Sequence, residues 1–205
     1  MITIIDYGMG NLGSIHNMLK KLGEDSIVTS DLNIIEKSSK IILPGVGSFD
    51  SAMNCLNQLD LVDCLNYKAM ECKVPILGIC LGAQLMTKSS EEGVMQGLNW
   101  FDAKTIKFNK NKFADKVILP NIGWRKVTQM KDEPIFSNLY DESWFYFAHN
   151  YHFETQIEND KGMYSDYGYE FIATLVRGNI IALQFHPEKS HKYGLRIFEN
   201  FIKNY

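Results

Sequence analysis

The first half of the chain alternates short apolar segments with longer amphipathic ones. Apolar residues at helical spacing predict helices over 11–22, 49–72 and 82–89. Between them lie short runs rich in Ile, Leu and Val, which predict strands at 2–6, 26–29, 40–43 and 74–79. Strands that alternate with helices in this way indicate a parallel sheet covered by helices.

The second half has a different pattern, in which strands follow one another without helices between them. Aromatic and β-branched runs predict strands at 104–108, 116–119, 143–149, 170–177 and 180–185. The last two flank Gly178-Asn179, which is typical of a two-residue hairpin turn. A final amphipathic helix is expected over 193–202. The sequence therefore predicts an α/β fold with a mostly parallel central sheet, flanking helices and an antiparallel extension, in a single domain over 1–205.

Composition and charge narrow the functional classes. The 205 residues are 45% apolar and 22% charged, close to the average of globular proteins. A formal net charge of -3 argues against a general nucleic-acid or anionic-membrane binder, which needs a basic face. No apolar run approaches the roughly 20 residues that span a bilayer, and the first residues lack a basic signal-peptide region. We expect a cytoplasmic protein whose four cysteines are reduced.

A glycine-rich turn after the first strand offers one candidate chemistry. Gly8, Gly10 and Gly13 match G-x-G-x-x-G, the fingerprint of dinucleotide-binding proteins. Asp6 and Tyr7, however, put a charge and a bulky ring where such fingerprints have small apolar residues. We therefore favour a glycine-permitted turn over a cofactor site, and we expect no cofactor.

A stronger signal surrounds one cysteine. Gly78, Cys80 and Gly82 form G-x-C-x-G where an apolar strand becomes a helix, which is the arrangement of a nucleophile elbow. A cysteine at a helix N-terminus is favoured as the thiolate, the nucleophilic form. The alternative is a buried core cysteine with glycines that allow close packing.

A histidine elsewhere in the chain can serve as the base of this nucleophile. His186 ends an apolar strand, and Glu188 follows two residues later, where its carboxylate can orient the imidazole. His149 and His152 lie in a β-like aromatic run without an evident third ligand, so structural or positioning roles are favoured and no metal site is expected.

The oxyanion of a tetrahedral intermediate needs backbone donors. The elbow supplies the N–H of Leu81, and the loop that contains Val46 and Gly47 follows a core strand to the same edge of the sheet. We expect these groups to form the oxyanion hole; the loop also acts as a turn, and the two roles are compatible.

Seven segments in fixed order resemble the triad-type class I glutamine amidotransferases, and among them the glutaminase subunits of imidazole glycerol phosphate synthases. They cover the whole chain and read IIDYGMGNL at 4–12, LPGVGSF at 43–49, GICLGAQLM at 78–86, SSEEG at 89–93, IGW at 122–124, YFAHNY at 146–151 and QFHPEKS at 184–190.

This resemblance implies an enzyme that hydrolyses L-glutamine through a triad of Cys80, His186 and Glu188. It also implies that Gln84 and Glu92 hold the substrate and that the backbone at Asn150 and Tyr151 binds its carboxylate. It further implies a heterodimer with a (β/α)₈ cyclase barrel, which receives the ammonia for histidine biosynthesis. The residues implied in contacts with that partner are Gly10, Asn11, Asn121, Trp124, Tyr146 and Lys189.

The chain departs from the family pattern near the expected substrate and partner sites. The family's P-H-M-G-W-N reads Pro-Asn-Ile-Gly-Trp-Arg at 120–125, and Asn150 replaces the usual Ser or Thr. These changes leave open a paralogue that feeds ammonia to a related barrel in surface-sugar amidination. Two functions of other classes also remain open: an esterase or peptidase with a cysteine elbow, and an inactive subunit that only regulates its partner.

Overall fold

The computed structural model describes residues 1–113, 117–140 and 142–205. Within them, the strands are β1 (Ile2–Ile5), β2 (Ser26–Thr29), β3 (Lys40–Leu43), β4 (Ile76–Ile79), β5 (Ser89–Ser90), β6 (Lys104–Lys107), β7 (Asn121–Gln129), β8 (Ser143–His149), β9 (Tyr151–Glu154), β10 (Lys161–Asp166), β11 (Glu170–Arg177) and β12 (Ile180–Leu183). The α-helices are α1 (Leu12–Lys21), α2 (Leu32–Glu36), α3 (Phe49–Gln58), α4 (Leu61–Asn66), α5 (Leu81–Gln84) and α6 (His191–Asn204). Among these residues, no helix combines the length and apolarity needed to cross a membrane.

One sheet runs through the molecule in the order β2-β1-β3-β4-β12-β11-β10-β7-β8. The five strands from β2 to β12 pair in parallel. From β12 onward each neighbouring pair is antiparallel. Beside this path β6 pairs with β9, which also pairs with β11. The expected α/β fold with an antiparallel extension is confirmed.

The central strand β4 explains why the core has two faces. All four of its residues are buried, and consecutive side chains point to opposite sides of the sheet. Ile76 packs in one apolar cluster together with residues of α3, whereas Leu77 and Ile79 pack in the other together with residues of α6. A strand covered on both faces needs a continuous apolar run, which is what the sequence has at this position.

Two predicted helices are shorter in the structure than expected. The segment 49–72 is divided because Asp60 adopts φ 54° between α3 and α4, and a π-helical turn at Tyr67–Glu71 follows. The helix expected over 82–89 consists only of the four-residue α5. By contrast, the last helix begins at His191, two residues earlier than predicted.

The prediction of a strand at 116–119 is wrong. Residue 116 lies outside the described residues, and 117–119 form no regular strand. The chain instead enters β7 at Asn121, and β10 was likewise not predicted. Both strands pair on both sides in the antiparallel half, but β7 buries only two of its nine residues and so lacks a clear apolar alternation.

Candidate active site

Cys80 sits on a strained turn between β4 and α5. Its backbone has φ 52° and ψ −109°, a conformation that costs a non-glycine residue about 1–3 kcal/mol. The Cys80 N–H donates to the Leu183 carbonyl at 2.7 Å, which ties the turn to β12. A Cβ on Gly82 would collide with the Leu43 carbonyl, so glycine is required for the close approach of α5 to the end of β3. The glycines of the motif therefore shape the elbow.

His186 and Glu188 form a buried pair at the same edge of the sheet. Because β4 and β12 are parallel neighbours, the residues that follow them emerge side by side. His186 Nδ1 donates to Glu188 Oε1 at 2.8 Å, and the two side chains are only 3% and 1% exposed. Burial by itself lowers the pKa of His186. The charge and hydrogen bond of Cys80, together with Glu188, outweigh that effect and raise the pKa to about 10. An anionic sulfur and the Glu188 carboxylate therefore both favour the protonated imidazole.

The backbone on both sides of His186 is held by hydrogen bonds. His186 N–H donates to the Tyr146 carbonyl at 2.8 Å, while Ser190 Oγ donates to the His186 carbonyl at 2.6 Å. Ser190 Oγ also accepts from the Tyr146 N–H at 3.0 Å. This network attaches the backbone of His186 to β8 and so restrains the position of its ring beside Cys80.

Gln184 is a site residue that sequence reasoning did not single out. It is fully buried, and its Nε2 lies 3.8 Å from Cys80 Sγ. Its Oε1 accepts from Gln84 Nε2 at 3.1 Å, so the two amides form a chain that ends at the sulfur. The sequence signal that could have identified it is its position two residues before His186, within the predicted strand 180–185.

A cavity of about 280 Å³ opens over the sulfur. It brings together most of the residues that the sequence assigned to nucleophile, base, oxyanion and substrate. Its lining consists of Val46, Gly47, Cys80, Leu81, Gln84, Glu92, Pro120, Ile122, Ala148, His149, Asn150, Tyr151, His186 and Lys189.

The loop expected to complete the oxyanion hole is packed tightly at its start and exposed at its tip. Tyr7 donates its hydroxyl proton to the Pro44 carbonyl at 2.5 Å. A Cβ on Gly45 would lie 2.6 Å from the Gly82 nitrogen, so Gly45 allows the loop to contact the elbow. Val46 is 52% exposed, and Gly47 has φ 136°, which favours glycine. Both line the cavity near Leu81, whose N–H lies in the first turn of α5.

The three remaining substrate candidates all reach this cavity. Glu92 also has a structural role, because its Oε2 accepts a hydrogen bond of 2.8 Å from the Phe49 N–H at the start of α3. The Asn150 carbonyl accepts from the Phe108 N–H at 3.1 Å. Burial raises the pKa of the Tyr151 hydroxyl, and the negative charges of nearby glutamates raise it further.

Of the residues implied in partner contacts, three form one aromatic and basic group. The rings of Trp124 and Tyr146 are 6.3 Å apart, and Lys189 Nζ lies 5.6 Å from the centre of the Tyr146 ring. Asn121 does not belong to this surface. It is 0% exposed, and its Nδ2 lies 2.9 Å from His149 Nε2, so a direct contact with a partner is excluded by burial.

Gly10 and Asn11 lie in the turn before α1. Gly8 and Gly10 have φ 82° and 112°, which is the backbone that a glycine-permitted turn requires. A Cβ on Gly10 would lie 3.0 Å from Pro44 Cβ, so this turn packs against the loop of Val46. Asn11 is half-buried at the start of α1.

Comparisons with known proteins agree with this geometry over the whole chain. The family model of the class-I glutamine amidotransferases matches residues 3–205. The "Imidazole glycerol phosphate synthase subunit HisH 2" of Methanococcus maripaludis is 49% identical over 203 residues, with 99% of each chain covered. The protein of that name in Pseudomonas aeruginosa is 40% identical, also with 99% of each chain covered.

A solved structure described as a glutamine amidotransferase shares the fold. It superimposes with a TM-score of 0.76, covering 99% of this chain and 98% of its own, at 18% sequence identity. Together with the full-length family match and relatives well above 30% identity, the cysteine elbow beside a buried histidine–glutamate pair leads to one conclusion: the chain belongs to the class-I glutamine amidotransferases.

Proposed function

We propose that this chain is the glutaminase subunit of an imidazole glycerol phosphate synthase and hydrolyses glutamine to glutamate and ammonia. The observation that carries the proposal is the arrangement of Cys80, His186 and Glu188. A cysteine on a strained elbow lies against a histidine with a pKa of about 10, and a buried carboxylate holds the other ring nitrogen at 2.8 Å. This is the nucleophile, base and orienting acid of a triad.

The reaction that this arrangement supports has two stages. Cys80 Sγ attacks the side-chain amide carbon of glutamine, and the oxyanion that forms lies near the N–H of Leu81 and the loop at 46–47. His186 Nε2 gives its proton to the departing ammonia, which leaves a thioester. The same nitrogen then takes a proton from water, whose oxygen attacks the thioester and releases glutamate.

We assign substrate binding to cavity residues other than the triad. We infer that Gln84 and Glu92 contact the polar groups of glutamine and that the backbone at 150–151 binds its carboxylate. The direction of one peptide group supports the latter role. The Asn150 carbonyl points at Phe108, and the N–H and C=O of a trans peptide point in opposite directions. The Tyr151 N–H therefore points away from Phe108, and residues 150 and 151 both line the cavity.

The ammonia is expected to pass to a partner. Because the relatives in M. maripaludis and P. aeruginosa are named as synthase subunits, we propose a (β/α)₈ cyclase barrel as the partner of this chain. It incorporates ammonia into a ribonucleotide intermediate and yields imidazole glycerol phosphate and an aminoimidazole carboxamide ribotide. The surface proposed for docking contains Gly10, Asn11, Trp124, Tyr146 and Lys189. We propose that the complex is a heterodimer in the cytoplasm. The glutaminase activity belongs to a single domain over 1–205.

A second candidate function differs only in the acceptor of the ammonia. Asn121, Arg125 and Asn150 depart from the pattern that the resemblance implies, and Asn121 and Asn150 both lie at or directly behind the cavity wall. These departures are the reason to keep, as the alternative, a paralogue that serves a related barrel in surface-sugar amidination. The glutamine chemistry is the same in both.

One assay separates the two candidates. Glutamate release is measured for the purified chain alone, with the histidine-pathway cyclase of the same organism, with that cyclase plus its ribonucleotide ligand, and with a sugar-pathway barrel. We expect poor hydrolysis by the chain alone and full turnover in the third mixture. Activation only by a sugar-pathway barrel would assign the chain to the paralogue. No glutamate release under any of these conditions would refute the glutaminase function.

A further inference from the structure

His149 lines the cavity over the nucleophile, but both of its ring nitrogens are already occupied. Its Nδ1 lies 2.6 Å from the Tyr151 carbonyl oxygen, and its Nε2 lies 2.9 Å from Asn121 Nδ2. A carbonyl only accepts hydrogen bonds, so Nδ1 carries a proton. An amide nitrogen only donates, so Nε2 is the acceptor. These contacts define one neutral tautomer, which is not available as a general base.

The surroundings of the ring oppose a second proton. His149 is 5% exposed and lies 5.3–5.4 Å from the rings of three phenylalanines, Phe108, Phe147 and Phe171. The charged and titratable groups that face it are His152, His186 and Arg125, and each of them disfavours additional positive charge. Burial is the largest effect and, with these charges, lowers the pKa of His149 to about 3, although the bond to the Tyr151 carbonyl acts in the opposite direction.

The amide of Asn121 and the protonation of His149 depend on each other. Asn121 stands directly across from His149 in the pairing of β7 with β8, and it is completely buried. Its Oδ1 has no hydrogen-bond partner among the described residues. Turning the amide would bring Oδ1 to the ring but would force Nε2 to take a second proton, which the apolar surroundings oppose. The orphaned oxygen is the cost of keeping the ring neutral.

We propose that His149 is a positioning residue of the glutaminase site: fixed by Asn121 as the tautomer with its proton on Nδ1, it holds the Tyr151 carbonyl and so shapes the backbone that binds substrate. This inference rests on the proposed function. The bond from residue 149 to residue 151 closes a turn through Asn150, whose own carbonyl is bound by Phe108. With both carbonyls held, the peptide planes that face the cavity are fixed. The same strand passes over the nucleophile, since the Ala148 carbonyl is 4.0 Å from Cys80 Sγ.

The first test is kinetic and has a matched control in the same aromatic cluster. His149→Phe keeps the ring volume and removes both hydrogen bonds. We expect KM for glutamine to rise about tenfold with little change in kcat, because a binding interaction common to ground and transition state is lost. His152→Phe removes equivalent bonds, to the Phe153 carbonyl and the Tyr169 hydroxyl, from a residue that does not line the cavity. Its KM should stay at the wild-type value.

The assay uses the chain together with its activating barrel, and its outcomes are distinct. An unchanged KM in His149→Phe, or an equal rise in His152→Phe, would overturn the proposal. A fall in kcat at constant KM would also overturn it, because that result indicates a role in proton transfer. Absence of activity in the wild-type complex would instead refute the proposed function, and the second test does not depend on activity.

The second test reads the proton directly. In protein labelled with ¹⁵N in its histidine rings, the signal that disappears in His149→Phe should show a neutral ring with Nδ1 protonated. It should stay constant from about pH 5 to about pH 8, where an ordinary histidine titrates. A proton on Nε2, or titration in this range, would overturn the assignment.

A charge-changing variant tests the dependence on Asn121. In Asn121→Asp the carboxylate only accepts hydrogen bonds, so His149 should become doubly protonated, with Nδ1 still donating to the Tyr151 carbonyl. Asn200→Asp, which places a carboxylate at another buried asparagine, should leave the His149 signal unchanged. A neutral His149 in folded Asn121→Asp would overturn the role of Asn121.

Discussion

Replacement of Glu188 by glutamine isolates the contribution of the orienting carboxylate. Glu188 Oε1 accepts from His186 Nδ1 at 2.8 Å, and both side chains are almost completely buried. A glutamine of nearly the same shape can present its own oxygen to Nδ1, but its uncharged amide holds an imidazolium less strongly. Its NH₂ group then occupies the place of Oε2, which has no partner among the described residues.

The size of the effect follows from the charge-assisted bond that is weakened. Hydrogen bonds to charged groups contribute about 1.5–3 kcal/mol, and each 1.36 kcal/mol changes a rate tenfold. We therefore expect kcat to fall by about tenfold to about 150-fold. His186→Ala removes the proton carrier itself. General acid–base catalysis alone contributes about 10²–10⁴-fold, so this variant should lose more.

Both variants are assayed for glutamate release in the presence of the activating barrel, with circular dichroism as the control for folding. The Glu188→Gln profile should also lose activity at a lower pH than the wild type on its alkaline side. The reason is that removal of the carboxylate lowers the pKa of His186 from about 10. Equal losses in the two variants, or a larger loss in Glu188→Gln, would show that Glu188 is not the orienting acid.

Three further results are expected. Cys80→Ala should abolish glutamate release but not folding, whereas alanine at each of the other three cysteines should preserve activity; mass spectrometry after reaction with a glutamine-like electrophile should place the adduct on Cys80. Gly82→Ala should lower both activity and the unfolding temperature, measured by calorimetry, because its Cβ collides with the Leu43 carbonyl; a wild-type unfolding temperature would contradict the packing of the elbow. His149 has a folded-state pKa of about 3 against 6.5 when unfolded, so the unfolded state binds its proton first and stability should fall as pH drops from about 6.5 toward 3. His149→Phe should show a shallower decline in denaturant titrations over this range, and an identical decline would contradict the low pKa.

The elbow was predictable from sequence because its determinants are local. Gly78, Cys80 and Gly82 lie where an apolar run ends, so the motif can be recognised within one strand–turn–helix segment. The contact of Gly78 is with Ala83 and Met86 in or next to that segment, whereas the contact of Gly82 is with Leu43 at the end of β3. The break at Asp60 had no such signal, since neither glycine nor proline marks the residue with positive φ. Sequence periodicity over 49–72 therefore predicted one continuous helix where tertiary packing bends the chain.

The role of Asn121 could not be read from the sequence for a different reason. A polar residue next to a proline and a glycine is typical of an exposed loop, and the resemblance suggested a partner contact. In the structure Asn121 begins β7 and faces His149 across the sheet, 28 positions away along the chain. Gln184 is similar, because its neighbours Cys80 and Gln84 come from another strand and helix. Contacts between distant segments decide both roles.

The direct pairing of β4 with β12 sets the distance between the Cys80 sulfur and the His186 imidazole. Neighbouring strands are held about 4.8 Å apart, and the register of Ile79 opposite Leu183 is fixed by the ladder that continues into Cys80. A one-residue slip of β12 would move the imidazole by about 3.3 Å and turn it to the other face. Sulfur and imidazole thus keep their spacing whatever happens at the surface. If the proposed barrel controls the rate, the reactive pair stays assembled and the exposed Val46 loop is the part of the site that docking can change.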